Sequence, residues 1–153
     1  MERDPAPALK LYLGGRVRKQ ALPRFDGPPG PSAPPLKRLL LPQGELAQLL
    51  DTEQSIRYLA FIELRDGTVR GNHFHKTKQE FIYLIRGRAL LLVEDTQSKA
   101  QDRAPMEPGD LIFIPTGVAH RLEVLQTGQA VEFSETRFDP TDTYPYQLEP
   151  TAG

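Results

Sequence analysis

The sequence predicts an all-β fold, an antiparallel sandwich or barrel, and three observations carry that expectation. From Ser55 onward, short runs of apolar and β-forming residues follow one another with turn signals between them. Within the runs, apolar side chains follow the two-residue alternation of strands. The chain has 153 residues, enough for one domain with a sizeable core, and shows no repeat of solenoid length.

The elements follow in order. Eight of the 15 prolines fall in the first 35 residues, and residues 28–35 (PPGPSAPP) are extended or irregular by composition. Residues 1–54 therefore read as an N-terminal arm, either flexible or ordered against a neighbouring subunit. Residues 9–13 (LKLYL) suit a short strand within it. Residues 44–51 (GELAQLLD) carry leucines at 46, 49 and 50, a spacing that predicts a short helix. The barrel is expected over residues 55–146, with a tail over 147–153. Its first strand is 56–64 (IRYLAFIEL), stopped by Asp66-Gly67. Residues 80–86 and 88–95 flank Gly87 and read as a hairpin or its start. Residues 111–115 (LIFIP) follow the turn 107–110 and end at Pro115, which has no N–H to donate. Residues 119–125 and 130–138 are two further strands joined by residues 126–129. Gly67, Gly87, Gly109 and Gly117 fall where the chain must turn sharply, and glycine tolerates positive φ.

Composition removes several classes of function. A net charge of −1 gives no basic surface for nucleic acid and no acidic tail for a basic partner. The absence of cysteine excludes disulfides, zinc–thiolate sites and a thiol nucleophile, and fits a reducing compartment. Apolar runs are far short of a bilayer span, and the N-terminus lacks the apolar region of a signal peptide. No membrane partner and a cytoplasmic location are the expectations.

The chain has only three histidines, His73, His75 and His120, all in or beside expected strands. Alternation puts His73 and His75 on one face. Glu80 shares its face with Ile82 and Leu84, while Phe81, Tyr83 and Ile85 look the other way. His120 shares a face with Leu122 and Val124. Imidazoles and a carboxylate on apolar faces need partners, because unpaired burial is costly. One divalent ion satisfies all four at once and leaves positions open for water or substrate.

These residues carry a resemblance to the cupin superfamily. Gly67, five residues, His73, one, His75, four, Glu80, six, Gly87 has the spacing of the first cupin motif. Gly109, five residues, Pro115, one, Gly117, two, His120 has that of the second, with Val124 where an asparagine is usual. The resemblance covers residues 56–138. It implies an antiparallel jelly-roll barrel, or double-stranded β-helix, with the arm and short helix outside it. It further implies a divalent metal on His73, His75, Glu80 and His120, with zinc favoured and iron, manganese or nickel possible.

The wording RGNHFHKTKQEF is similar to the C-terminal cupin domain of bifunctional enzymes that make a deoxyamino-sugar nucleotide for capsular polysaccharide, as is FDPTDTYPY at 138–146. Those domains bind zinc and epimerise a 4-keto sugar nucleotide. Their partner reductase carries GxGxxG after a strand, which does not occur here. The dTDP-sugar ketoisomerases show a similar RG-x-H-x-H with histidines acting as acid and base. The epimerases of the rhamnose route use a free histidine, and this chain has none to spare once the ligands are assigned. The expected activity is thus isomerisation or epimerisation of a nucleotide-linked keto sugar, with the metal stabilising an enediolate. The alternatives are a non-catalytic small-molecule-binding or sensing cupin and an iron-dependent dioxygenase. Candidates to move the proton are Glu80 and Tyr58, with Arg70 placed to hold an anionic group. Tyr83 faces away from Glu80 and reads as core. Lys76 and Lys78 read as a solvated strand edge. Phe81, Tyr83 and Ile85, with the two-sided apolar strand 56–64, predict that a sheet face packs on another subunit or on the arm. A homodimer is the expected assembly.

Overall fold

The computed structural model describes residues 8–148. Twelve strands run in chain order among them: β1 (Ala8–Tyr12), β2 (Val17–Ala21), β3 (Arg24–Asp26), β4 (Lys37–Leu41), β5 (Gly44–Gln48), β6 (Tyr58–Leu64), β7 (Val69–Phe74), β8 (Glu80–Asp95), β9 (Gln101–Met106), β10 (Asp110–Ile114), β11 (Val118–Ser134) and β12 (Tyr144–Pro145). Single 3₁₀ turns occupy Leu13–Gly15 and Pro140–Asp142. No helix among the described residues is long and apolar enough to cross a membrane.

Two long strands, β8 and β11, organise the rest. They pair antiparallel from Phe81 opposite Phe133 to Asp95 opposite Val118. The first half of β8 adds β10, then β2 and β1, and the second half of β11 adds β6. At the other end β8 adds β9, and β11 adds β7 and then β12. Each long strand thus serves both leaves of an antiparallel jelly roll.

The expected reversals at Gly87 and at residues 126–129 are therefore corrected: the chain bends there and continues. The β8–β11 register shifts between Val124 and Ala130, opposite Gly87. Gly87 has φ 91°, and a Cβ on it would stand 2.5 Å from the carbonyl oxygen of Gln126. Such bulges bend a strand without ending it. The inner faces of both leaves meet in one core, with Ile82, Leu84, Leu91 and Val93 of β8 packed among Ile112, Val124 and Ala130.

The expected helix at residues 44–51 is also corrected, because those residues hold β5. β5 pairs with β4 through the Pro42-Gln43 turn, in a small sheet completed by β3. Leu46 and Leu50 are exposed, whereas Ala47 and Leu49 turn inward. The buried positions are two apart, a strand's period, and cross-strand pairing with β4 overrides the leucine spacing. The arm is not separate from the barrel. β1 and β2 extend the main sheet, and Leu22, Leu36, Ala47, Leu49 and Ile56 close over Phe81, Tyr83, Ile85, Leu111 and Phe133. That second cluster covers the outward face of β8 expected to need a partner. The outward face of β6 stays open.

Candidate metal centre and its cavity

The backbone of β7 explains the RGNH wording. In its pairing with β11, His73 stands opposite His120 and Gly71 opposite Arg121, so Asn72 is the extra residue of a bulge. Gly71 has φ 97° and Asn72 φ 59°, the left-handed region that glycine and asparagine tolerate. A Cβ on Gly71 would lie 2.6 Å from the carbonyl oxygen of His120, so only glycine permits this approach. The bulge turns His73 inward against His120, ring centroids 4.8 Å apart.

His75 lies one residue past β7. Its Nδ1 is 2.7 Å from the carbonyl oxygen of Asp142, which only accepts. Nδ1 therefore carries the proton and Nε2 turns its lone pair inward. The Asp142 carboxylate accepts from the backbone N–H groups of Lys76, Thr77 and Lys78 at 2.9–3.2 Å. Burial works to raise its pKa, but those three donors outweigh burial and hold it below the usual range. One loop residue thus fixes both the course of the 76–78 segment and the orientation of His75.

Glu80 opens β8 and is 3 % exposed. Its Oε1 is 2.9 Å from His75 Nε2 and its Oε2 is 3.1 Å from His120 Nε2. Burial alone would raise its pKa; the charge and hydrogen bond of His120 lead the effects that drive it well below the ordinary value. Burial, then His120 and His75, push His73 down to about 4. For His75 burial lowers the pKa, and Glu80 more than reverses that.

One ligand atom from each of His73, His75, Glu80 and His120 lies within 4.8 Å of the other three. His75 Nε2 is fully buried and has no well-aligned hydrogen bond, despite its short approach to Glu80. An inward imidazole nitrogen without a donor, its other nitrogen tied to a carbonyl, is the arrangement a metal-ligating histidine requires. The four predicted ligands therefore converge, and their chemistry fits a divalent ion.

The cluster floors a cavity of about 190 Å³ walled by Tyr58, Ile62, Arg70, Lys78, Glu132 and Phe138. Of the other expected residues, Tyr58 and Arg70 line this space, and Arg70 Nη2 donates to the carbonyl oxygen of Glu63 at 3.0 Å. Tyr83 is buried in the second cluster, as alternation requires. Lys76 is exposed and sits over the ring of Tyr144 at 4.3 Å. The placement of Lys78 on a solvated edge is corrected. It is 6 % exposed, with Nζ 2.9 Å from Glu132 Oε1, 3.4 Å from Glu80 Oε1 and 4.2 Å from the Tyr58 ring centroid. Burial lowers its pKa, but the two carboxylates raise it further, so the ammonium persists. Glu132 escaped the sequence reading; burial first, then the charge of Glu80, raises its pKa. Alternation from Ala130, which is buried, was the available signal.

Residues 60–134 match the family model described as the cupin domain, and with the jelly-roll topology they establish that this chain carries a cupin domain. No curated protein matches the sequence. Among solved structures, dTDP-4-dehydrorhamnose 3,5-epimerase from Sulfolobus tokodaii is similar at TM-score 0.69 and 17 % identity, over 90 % of this chain and 80 % of that one. A dTDP-6-deoxy-D-glucose-3,5-epimerase from Legionella pneumophila, in complex with dTDP-4-keto-L-rhamnose, gives 0.71 and 11 %, over 92 % and 77 %. A TDP-quinovose 3,4-ketoisomerase from Campylobacter jejuni gives 0.64 and 14 %, over 72 % and 88 %. At these identities the likeness is one of fold.

Proposed function

We propose that the chain is a metal-dependent isomerase or epimerase of a nucleotide-linked keto sugar. Support comes foremost from the convergence of His73, His75, Glu80 and His120 at the floor of a cavity that also holds a second carboxylate and a cation. The fold neighbours named for dTDP-sugar epimerases and a ketoisomerase agree with it. His73, His75, Glu80 and His120 would hold the ion, with zinc favoured. Bound there, a divalent ion polarises a ketone oxygen and eases loss of the α-proton.

The chain's own residues do the rest. Glu80 is locked between two imidazoles and serves as ligand, not base. Glu132 faces the same cavity with Lys78 beside it and is the carboxylate assigned to take the proton. Tyr58 and Phe138, stacked at 5.9 Å, form an apolar wall for the sugar face. The cavity is sized for a sugar ring, so the nucleotide lies at the mouth, near Arg70. The protein works as a homodimer in the cytoplasm, where nucleotide sugars are made.

The test is solvent-deuterium incorporation. Purified protein of known metal content is mixed in D₂O with dTDP-4-keto-6-deoxyglucose, and C–H exchange is followed by proton NMR. Exchange that scales with metal content supports the assignment. Stoichiometric metal without exchange across a panel of keto sugars overturns it in favour of a binding cupin, and iron with oxygen uptake overturns it in favour of a dioxygenase.

A further inference from the structure

We propose that two copies of this chain join through β6, antiparallel and in register about Ala60, so that one sheet runs across the twofold axis. The proposal rests on the homodimer reading above and not on the chemistry assigned to the cavity.

β6 ends its leaf. It pairs with β11 alone, and its other edge has no strand partner among the described residues. Open edges are usually guarded by lysine, proline or a bulge, and YLAFIEL contains none of these. Among the described residues its end is engaged at one carbonyl, that of Glu63, which accepts from Arg70.

The outward side chains complete the case. Tyr58, Ala60, Ile62 and Leu64 face inward and are partly or fully buried, whereas Arg57, Leu59, Phe61 and Glu63 all face solvent. Leu59 and Phe61, at 71 % and 62 % exposed, are the most exposed large apolar side chains among the described residues. The outward row reads cation, apolar, apolar, anion. An antiparallel copy with Ala60 opposite Ala60 sets Arg57 against Glu63 twice and Leu59 against Phe61 twice. A slip of two residues either way strands a charge against an apolar side chain, so the row itself specifies the register. Neither Arg57 nor Glu63 has a side-chain ion pair of its own among the described residues. Residue i meets j and j meets i, which is the condition for a closed twofold contact. The same strand carries Tyr58 and Ile62 on the cavity wall, so pairing steadies that wall.

Sedimentation velocity over a wide concentration range tests this with five proteins. The unsubstituted protein is expected to dimerise. F61K, at an exposed position where the barrel tolerates lysine, is expected to be a monomer with an unchanged circular dichroism spectrum. R57E and E63R each oppose like charges twice and are expected to weaken the dimer about tenfold. The double variant R57E/E63R restores opposite charges and is expected to recover to within about threefold of the original. A monomer throughout overturns the proposal together with the homodimer reading. A dimer whose affinity F61K leaves unchanged, or a double variant no better than either single, overturns the β6 contact while leaving dimerisation and catalysis standing.

Discussion

At the scale of single residues, the three histidines and Glu80 were legible because they are few, fall at strand spacing and share faces with apolar neighbours. Lys78 and Glu132 were not. Lys78 follows Lys76 in a polar stretch that reads as a solvated edge, Glu132 lies between Val131 and Phe133 with no motif to mark it, and only the fold shows that the two meet inside the barrel. The ligands and the proposed base predict different losses. His75→Ala removes a donor whose lone pair already points at the cluster, so metal content by plasma emission is expected to fall to near zero while the barrel stays folded; stoichiometric metal would contradict the ligand set. Glu132→Gln keeps the volume and a hydrogen-bond acceptor but removes the basic carboxylate. It is expected to leave metal content unchanged and slow C–H exchange by about 10²–10⁴-fold, the usual worth of general base catalysis.

At the scale of elements, strand existence was legible from alternation, while strand continuity was not. Gly87 and residues 126–129 carry turn chemistry, yet pairing between β8 and β11 spans them, because a local propensity yields to a ladder secured at both ends. The leucines at 46, 49 and 50 misled for a related reason: their helical spacing coexists with a β4–β5 ladder that buries alternate residues. The 3₁₀ turn holding Asp142 gave no sequence signal, since its effect is on a loop 64–66 residues away. Asp142→Ala removes an acceptor from three backbone donors and frees the carbonyl that orients His75. Metal affinity is expected to fall about 10–100-fold and stability by about 2 kcal/mol, read by competition titration and urea unfolding. A second acid acts at the end of β8. There burial raises the pKa of Asp95, but the N–H groups of Gln97 and Ser98 and the Arg16 guanidinium outweigh burial and lower it. A depressed carboxylate contributes stability that is fully present above its unfolded value, near 3.8, and is lost as pH falls through the folded one. Asp95→Asn is therefore expected to destabilise the protein at pH 7 and much less near pH 2.5; an equal loss at both would refute the clamp.

At the scale of the whole molecule, the jelly roll was foreseen, but the role of the first 54 residues was left open between a flexible arm and a subunit contact. For the apolar β8 face the sequence offered another subunit or the arm itself, and residues within 22–49 supply the cover. The β8 face bearing Phe81, Tyr83 and Ile85 is apolar on the side away from the metal cluster, and Leu22, Leu36, Ala47 and Leu49 cover it. A barrel without that cover exposes a contiguous apolar patch, which soluble proteins rarely do outside interfaces. Leu22 is 4 % exposed, so Leu22→Ala leaves a cavity expected to cost about 2–5 kcal/mol in urea unfolding. Deleting residues 1–54 goes further: it also strips β2 from β10 and opens a new sheet edge. The truncated chain is expected to aggregate, or to bind anilinonaphthalene sulfonate strongly, even with metal supplied. A monodisperse residue 55–148 fragment with native thermal stability would show instead that the barrel is self-sufficient and that the arm serves another purpose.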